Sequence, residues 1–225
     1  IIMKDKVTLS IDTLGSETKI KDICYGLNLS SERNLKFKYL IYGNESELKK
    51  NISKFKSLIK VSEIIHCDEF VEMTDIPSEA IKNKKKSSMY LAIDSVSKKY
   101  SDAVLSFGNT GALMTFALLI IKTLTYIKRP SIASIWPNLQ GESIILDLGA
   151  NTKLDSRFLI DNALLGSSLA SILFQIEKPS VGLLNVGTED NKGNDEIKAT
   201  SERLRNLSSK NIINYFGFVE GNDIA

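Results

Sequence analysis

Short apolar runs separated by stretches of helical periodicity recur along nearly the whole chain. That alternation narrows the possible folds more than any other feature of the sequence. Val7, Leu9 and Ile11 alternate with polar residues up to Asp12, the period-2 pattern of a half-buried strand. Ile20, Ile23, Cys24 and Leu27 then fall on one helical face. Residues 37–43 read as a second strand, 46–55 as a polar helix and 58–65 as a third strand. A loop, HCDEFVEMTDIP, leads into the basic stretch NKKKSSM, where Ser87 or Ser88 caps a helix expected to run through Lys98. A strand through 103–105, a helix through 115–121, and apolar runs at 132–136 and 144–148 follow. The remainder reads as a helix at 158–176, a strand at 180–186, a helix at 194–207 and a last strand at 212–219. This order is the signature of βαβ units, so the expected class is α/β, three layers (α/β/α) around a mainly parallel sheet. No Pro/Gly-rich linker, internal repeat or low-complexity segment interrupts it, and residues 1–225 are expected to form a single α/β domain.

Composition removes several classes of function. A net charge of +2 lacks the basic excess of a nucleic-acid binder. Two cysteines, Cys24 and Cys67, have no metal-like spacing and fit a reducing, cytoplasmic setting. The single histidine, His66, excludes His-rich metal sites and leaves a Ser-His-Asp triad only one route. His66 at a strand end reads as a polar edge residue, and Cys24 as core. The apolar stretch 112–121 is too short for a bilayer, which takes about 20 residues, and residues 1–6 show no secretory leader.

Chemistry concentrates where strands run into glycine- and amide-rich turns. Four such turns stand out: Asp12-Thr13-Leu14-Gly15; Ser106-Phe107-Gly108-Asn109-Thr110-Gly111; Leu146-Asp147-Leu148-Gly149-Ala150-Asn151; and Asn185-Val186-Gly187-Thr188-Glu189 with Lys192-Gly193-Asn194. Glycine lets a ligand approach the backbone. A helix N-terminus presents unpaired N–H groups and the positive end of its dipole to an anion. Each turn alone is ordinary turn chemistry. Four of them at the carboxyl edge of one sheet, where α/β proteins bind ligands, point to an anion site. Neither GxGxxG nor a Walker A motif is present, so the fingerprints of dinucleotide and triphosphate binding are missing. Lys84 to Lys86 reads as a solvated turn or as a dock for an acidic partner.

At these turns the sequence resembles the PlsX family, the acyl-acyl carrier protein:phosphate acyltransferases of bacterial phospholipid synthesis. SFGNTGA at 106–112 is similar to the family's S-x-G-N-T-G-A, and LDLGAN at 146–151 to its L-D-x-G-A-N. PSVGLLNVGTE at 179–189, with KGN at 192–194, is similar to P-x-V-G-L-L-N-x-G-x-E and K-G-N. KKKSSM at 84–89 and FGFVEGNDI at 216–224 match two further family segments. The resemblance runs through essentially the whole chain in order. Ser16 stands where the family's opening D-x-M-G-G-D has its second glycine. Thr152-Lys153-Leu154 precedes Asp155 where an acidic residue usually comes sooner, and Asn222 replaces an arginine.

The resemblance implies a Rossmann-like sheet of the phosphotransacetylase and isopropylmalate dehydrogenase type. It implies a chain corresponding to the N-terminal two-thirds of a longer enzyme. The implied reaction moves an acyl group from acyl carrier protein to inorganic phosphate, with no cofactor and no metal. Phosphate attacks the thioester directly, in keeping with the missing G-x-S-x-G elbow. In the implied roles, Lys192 holds phosphate, Asn109, Asn151 and Asn194 donate hydrogen bonds, and residues 108–111 cradle the anion. Asp12 and Asp147 orient donors, while Gly15, Ser106, Gly108, Thr110, Gly111, Gly149 and Gly187 shape the phosphate and substrate site. Lys82, Lys84, Lys85 and Lys86 attract the acidic carrier protein. Further implied properties are a homodimer, a cytoplasmic location with peripheral membrane association, and handover of product to a membrane glycerol-3-phosphate acyltransferase. The alternatives are a phosphotransacetylase-like enzyme using coenzyme A thioesters and a truncated, non-catalytic remnant. A metal-dependent decarboxylating dehydrogenase shares this sheet type, but its Asp cluster is not evident.

Overall fold

A computed structural model describes residues 6–33, 36–139, 141–151 and 154–224. Residues 1–5 of the segment read as lacking a leader, and Thr152 and Lys153 of the departure after the third turn, lie outside the described residues. By contacts the chain divides into two compact units, Ile1–Thr123 and Leu124–Ala225, each with its own hydrophobic clusters.

The first unit runs β1 (Val7–Asp12), α1 (Ile20–Arg33), β2 (Phe37–Gly43), α2 (Glu45–Ile52), α3 (Lys56–Val61) and β3 (Ser62–His66). It continues with α4 (Pro77–Asn83), α5 (Ser88–Ser97), β4 (Ala103–Ser106) and α6 (Thr110–Ile120). Its four strands form a parallel sheet in the order β3-β2-β1-β4. The chain builds outward from β1 through β2 to β3, then returns to place β4 on the other side of β1. Order reverses between β1 and β4, and such a switch point opens a crevice beyond the strands' carboxyl ends. The register sets Asp12 of β1 opposite Ser106 of β4 there.

Period-2 alternation sorts the strand residues between two helical layers. Ile11, Tyr39 and Ile41 pack with Ile23, Cys24, Leu27, Leu48 and Leu58 on the α1–α3 side. Leu40 and Tyr42 turn the other way, onto Cys67 and Ala92. The α5-facing side of β1 is polar instead. Ser10 Oγ donates to Ser101 Oγ at 2.6 Å, and Asp12 is buried beside it. This three-layer arrangement is the α/β fold that the alternation predicts.

Two local readings change. Residues 58–61, read as the start of the third strand, are the end of α3, and pairing with β2 begins at Ser62 opposite Tyr39. Leu58 enters the core from that helix; an apolar run this short fits either period, and packing chose the helical one. α4 begins at Pro77, the last residue of the loop HCDEFVEMTDIP, and runs to Asn83, the first of the basic stretch, so the unassigned residues between them are helical, with a start consistent with proline's preset φ.

The second unit holds β5 (Ala133–Asn138), β6 (Gly141–Leu146), α7 (Ser156–Phe174), β7 (Ser180–Leu184), α8 (Asp195–Ser209) and β8 (Asn214–Val219). β5 and β6 pair antiparallel, whereas β7 and β8 pair in parallel across α8. Leu183, Leu204, Ile213 and Phe218 form its buried center. The third and fourth glycine-rich turns therefore follow, among the described residues, strands of separate two-stranded sheets rather than strands of the four-stranded sheet that carries the first two. The patterns mark strands but not their partners. α7 is long and apolar enough to cross a membrane by length and composition alone.

Phe116 of α6 is fully buried and packs edge-on against Tyr90, with ring centroids 6.0 Å apart. Phe116→Ala is expected to cost about 3–5 kcal/mol, read as a lower midpoint of urea unfolding.

Candidate functional site

At the switch point in the first unit, Asp12 is the hub. It is 1% exposed. Ser88 Oγ donates to its Oδ1 at 2.5 Å and Ser106 Oγ to its Oδ2 at 2.7 Å. The Leu14 amide adds a longer bond of 3.4 Å to Oδ1. Burial pushes the Asp12 pKa above its ordinary value, and the bonds from Ser88, Ser106 and Leu14 oppose that rise. Because the pKa is raised on folding, ionised Asp12 opposes stability at neutral pH. That opposition is relieved as pH falls through the folded pKa toward the unfolded value.

The Ser106 hydroxyl donates its hydrogen bond to Asp12, and its oxygen accepts from the Gly108 amide at 3.1 Å. The turn after β4 is thereby tied to the end of β1. Asn109 caps α6: its Oδ1 accepts from Ala112 N at 3.0 Å. Its Nδ2, expected to donate to a ligand, donates here to the carbonyls of Glu72, Met73 and Asp75 at 3.1–3.2 Å. Asn109 is therefore a clamp between the turn and the 72–75 loop. The cap takes the Ala112 N–H, and Leu113 N bonds Asn109 O. The N–H groups of Thr110 and Gly111 remain at the helix start, where a dipole end favours an anion. Thr110 is exposed, and Gly111 lies against Pro77.

Gly15 has a φ of +70°, and a Cβ there would lie 1.9 Å from the Val71 carbonyl oxygen. No other residue fits, so Gly15 draws the 70–73 segment over the end of β1. Between them lies a cleft of about 440 Å³, lined by Leu14, Gly15, Lys19, Phe70, Glu72 and Met73 among others.

The basic stretch divides. Lys82, Lys85 and Lys86 are exposed. Lys84 is not free: its Nζ lies 2.5 Å from Asp75 Oδ2. That bond, with one from the Glu72 amide, holds the Asp75 carboxyl below its usual range. His66 is a half-exposed edge residue, as its position suggests; its Nδ1 accepts from Glu45 N at 3.3 Å and its Nε2 lies 3.0 Å from Asp68.

In the second unit, Asp147 gathers the third turn. Its carboxylate accepts from the amides of Ala150 and Asn151 at 3.2 and 3.0 Å and from Asn151 Nδ2 at 3.1 Å. Asn151 Nδ2 also donates to Pro130 O at 3.1 Å, so this amide too is engaged within the fold. Gly149 turns the chain between them, its amide bonded to Asp147 O at 2.8 Å. In the fourth turn, Lys192 is exposed and its aliphatic stem lies against the buried Gly187. Asn194 caps α8, accepting from Ile197 N at 2.9 Å. Gly193, at φ +84°, lets Asn185 close the turn: Asn185 Nδ2 donates to Gly187 O at 3.0 Å.

Among the described residues, no group of three His, Cys, Asp or Glu side chains could hold a metal ion. Ser88, Asp75 and Asn185 were not read as site residues. Ser88 carried only a capping signal, and the cap is in fact Ser87.

A family model described as fatty acid synthesis protein matches residues 7–225. The chain belongs to this family. It is 43% identical over 224 residues to the phosphate acyltransferase of Azorhizobium caulinodans, covering 99% of this chain and 63% of the relative. Over the same shares it is 41% identical to the phosphate acyltransferase of Rhodopseudomonas palustris. It thus spans about 63% of the length of these relatives. A phosphotransacetylase from Streptococcus pyogenes superposes with a TM-score of 0.70 at 15% identity, covering 97% of this chain and 70% of that one. EutD phosphotransacetylase from Staphylococcus aureus gives 0.64 at 17%, covering 93% and 67%. At that identity the likeness carries the fold alone, and the fold is the phosphotransacetylase type that the motifs imply.

Gly15→Ala is expected to destabilise the first unit by about 1–3 kcal/mol from its φ alone, with more from the clash at Val71. A lowered melting temperature would show it.

Proposed function

We propose that this protein transfers the acyl group of an acyl carrier protein thioester to inorganic phosphate. The observation that carries the reading is the match to phosphate acyltransferases at over 40% identity along nearly the whole chain. The anion-favouring start of α6 at the sheet's switch point supports it.

A phosphate oxygen attacks the thioester carbon, the C–S bond breaks, and the phosphate proton passes to the leaving sulfur. The products are an acyl phosphate and the free carrier thiol. No enzyme nucleophile takes part, so the protein's work is positioning and charge stabilisation. The Thr110 and Gly111 amides receive phosphate or the developing oxyanion. At the fourth turn, the exposed ammonium of Lys192 offers positive charge to an anion. Asp12 and Asn109 hold the first of these groups in place, and Asp147 and Asn151 shape their own turn. Exposed Lys82, Lys85 and Lys86 attract the acidic carrier protein. A homodimer, a cytoplasmic location with peripheral membrane contact, and delivery of the acyl phosphate to a membrane glycerol-3-phosphate acyltransferase belong to the same proposal.

The test measures acyl phosphate formation from carrier-protein and coenzyme A thioesters side by side, in the 225-residue chain and in a chain extended to the relatives' length. Turnover of the carrier thioester is expected in the extended chain. Preference for coenzyme A would make the enzyme a phosphotransacetylase, and no turnover in either form would make it a remnant. Lys192→Ala in the active form is expected to lower kcat/KM by about 10²–10³-fold; unchanged turnover would remove Lys192 from the mechanism. Carrier-protein binding is expected to weaken steeply as salt rises, checked by titration at two ionic strengths.

A further inference from the structure

We infer that Ser88 and Asp75 are positioning residues: they bind both ends of the basic stretch 84–88 to the turn 106–111 and hold that turn in its anion-binding shape. The inference deepens the function proposed above and rests on it for its catalytic consequence.

One chain of bonds starts at the front of α5. Ser88 Oγ donates to Asp12 Oδ1 at 2.5 Å, Ser106 Oγ donates to Asp12 Oδ2 at 2.7 Å, and Gly108 N donates to Ser106 Oγ at 3.1 Å. Ser88 and Asp12 are essentially inaccessible to water. The polarity of the chain is therefore set by the carboxylate, which only accepts. Each hydroxyl must donate inward, so Ser106 can only accept from Gly108. Removing the Ser88 hydroxyl leaves Oδ1 with the 3.4 Å bond from Leu14, a weak partner for a buried charge.

The second chain starts at the other end of the stretch. Lys84 Nζ donates to Asp75 Oδ2 at 2.5 Å, and the same oxygen accepts from Glu72 N at 2.7 Å. That carboxylate folds the 72–75 loop so that its carbonyls converge on Asn109 Nδ2. Asn109 then offers Oδ1 to the first turn of α6. Between the two anchors, Ser88 N and Lys86 N bond the backbone oxygen and the carboxylate of Glu69. Met89 Cε lies 3.3 Å from where a Cβ on Gly108 would stand. The segment that displays Lys85 and Lys86 thus shares its anchors with the turn that presents the Thr110 and Gly111 amides.

Ser87 supplies the comparison. It is equally buried and caps α5, accepting from Tyr90 N at 3.3 Å, but its bonds do not run to Asp12. Ser88→Ala and Ser87→Ala should both lower stability, yet only the first should reach the turn. Two readouts need no substrate. The first is the hydrogen-exchange rate of the Gly108 amide by NMR. The second is the titration midpoint of the Asp12 carboxyl. Cys67, a titratable side chain facing Asp12, stays a neutral thiol throughout, its pKa pushed up to about 11 by burial and by the charge of Asp12.

Ser88→Ala is expected to speed Gly108 exchange about tenfold, the value of one lost hydrogen bond, and to move the Asp12 midpoint upward. Ser87→Ala should do neither. In the active form of the enzyme, Ser88→Ala should lower kcat with little change in KM for the carrier thioester. Asp75→Asn should likewise speed exchange at Ala112, whose amide Asn109 holds. The inference is overturned if Ser88→Ala and Ser87→Ala give the same Gly108 exchange and the same Asp12 midpoint. Absent turnover in every form would remove the proposed function while the two substrate-free readouts still decide the positioning role.

Discussion

A carboxylate buried at the end of β1 organises the first unit. Asp12 sits among groups that can only donate to it, and burial raises the cost of its charge. That cost is offset only while Ser88 and Ser106 both point inward. A buried charge thus imposes direction on its neighbours: Ser106 is forced to accept from Gly108, and β1, α5 and the turn after β4 are drawn to one point. An apolar residue at position 12 could fill the space, but it could not orient two hydroxyls.

The sheet order makes that meeting possible. β4 returns to pair with β1 rather than continuing past β3, so two carboxyl ends from distant parts of the sequence become neighbours. The same parallel pairing separates two cores by residue parity, one of them almost wholly apolar. The polar face of β1 is then available for Ser10 and Asp12 to bond with α5 and the segment after it. Gly15 adds the third wall, because only a residue without a side chain lets the Val71 carbonyl lie so close.

Much of the fold is legible in the residues. The alternation at Val7, Leu9 and Ile11, the helical spacing from Ile20 to Leu27, and the capping serine at 87 or 88 lead to elements that the structure contains. The third strand is shorter than its apolar run because Leu58 and Ile59 suit a helix as well as a strand, and only packing separates the two. The glycine-rich turns are equally visible, but their side-chain roles are not. Asn109 and Asn151 look like free donors in the sequence; in the fold their amides are engaged by carbonyls and by Asp147. Lys84 looks like one cation among three and proves to be the partner of Asp75.

By itself the sequence determined the α/β class, the places where strands give way to ligand-ready turns, and the family to which those turns belong. These are local properties: hydrophobic period, turn chemistry and short motifs are written in consecutive residues. Tertiary structure alone decided that Ser88 serves Asp12, that Asn109 clamps a loop more than thirty residues away, and that the third and fourth turns follow two-stranded sheets of their own. A hydrogen bond between distant residues leaves no periodic mark in the chain. Whether a polar side chain faces a ligand or the fold is settled only when its neighbours are in place.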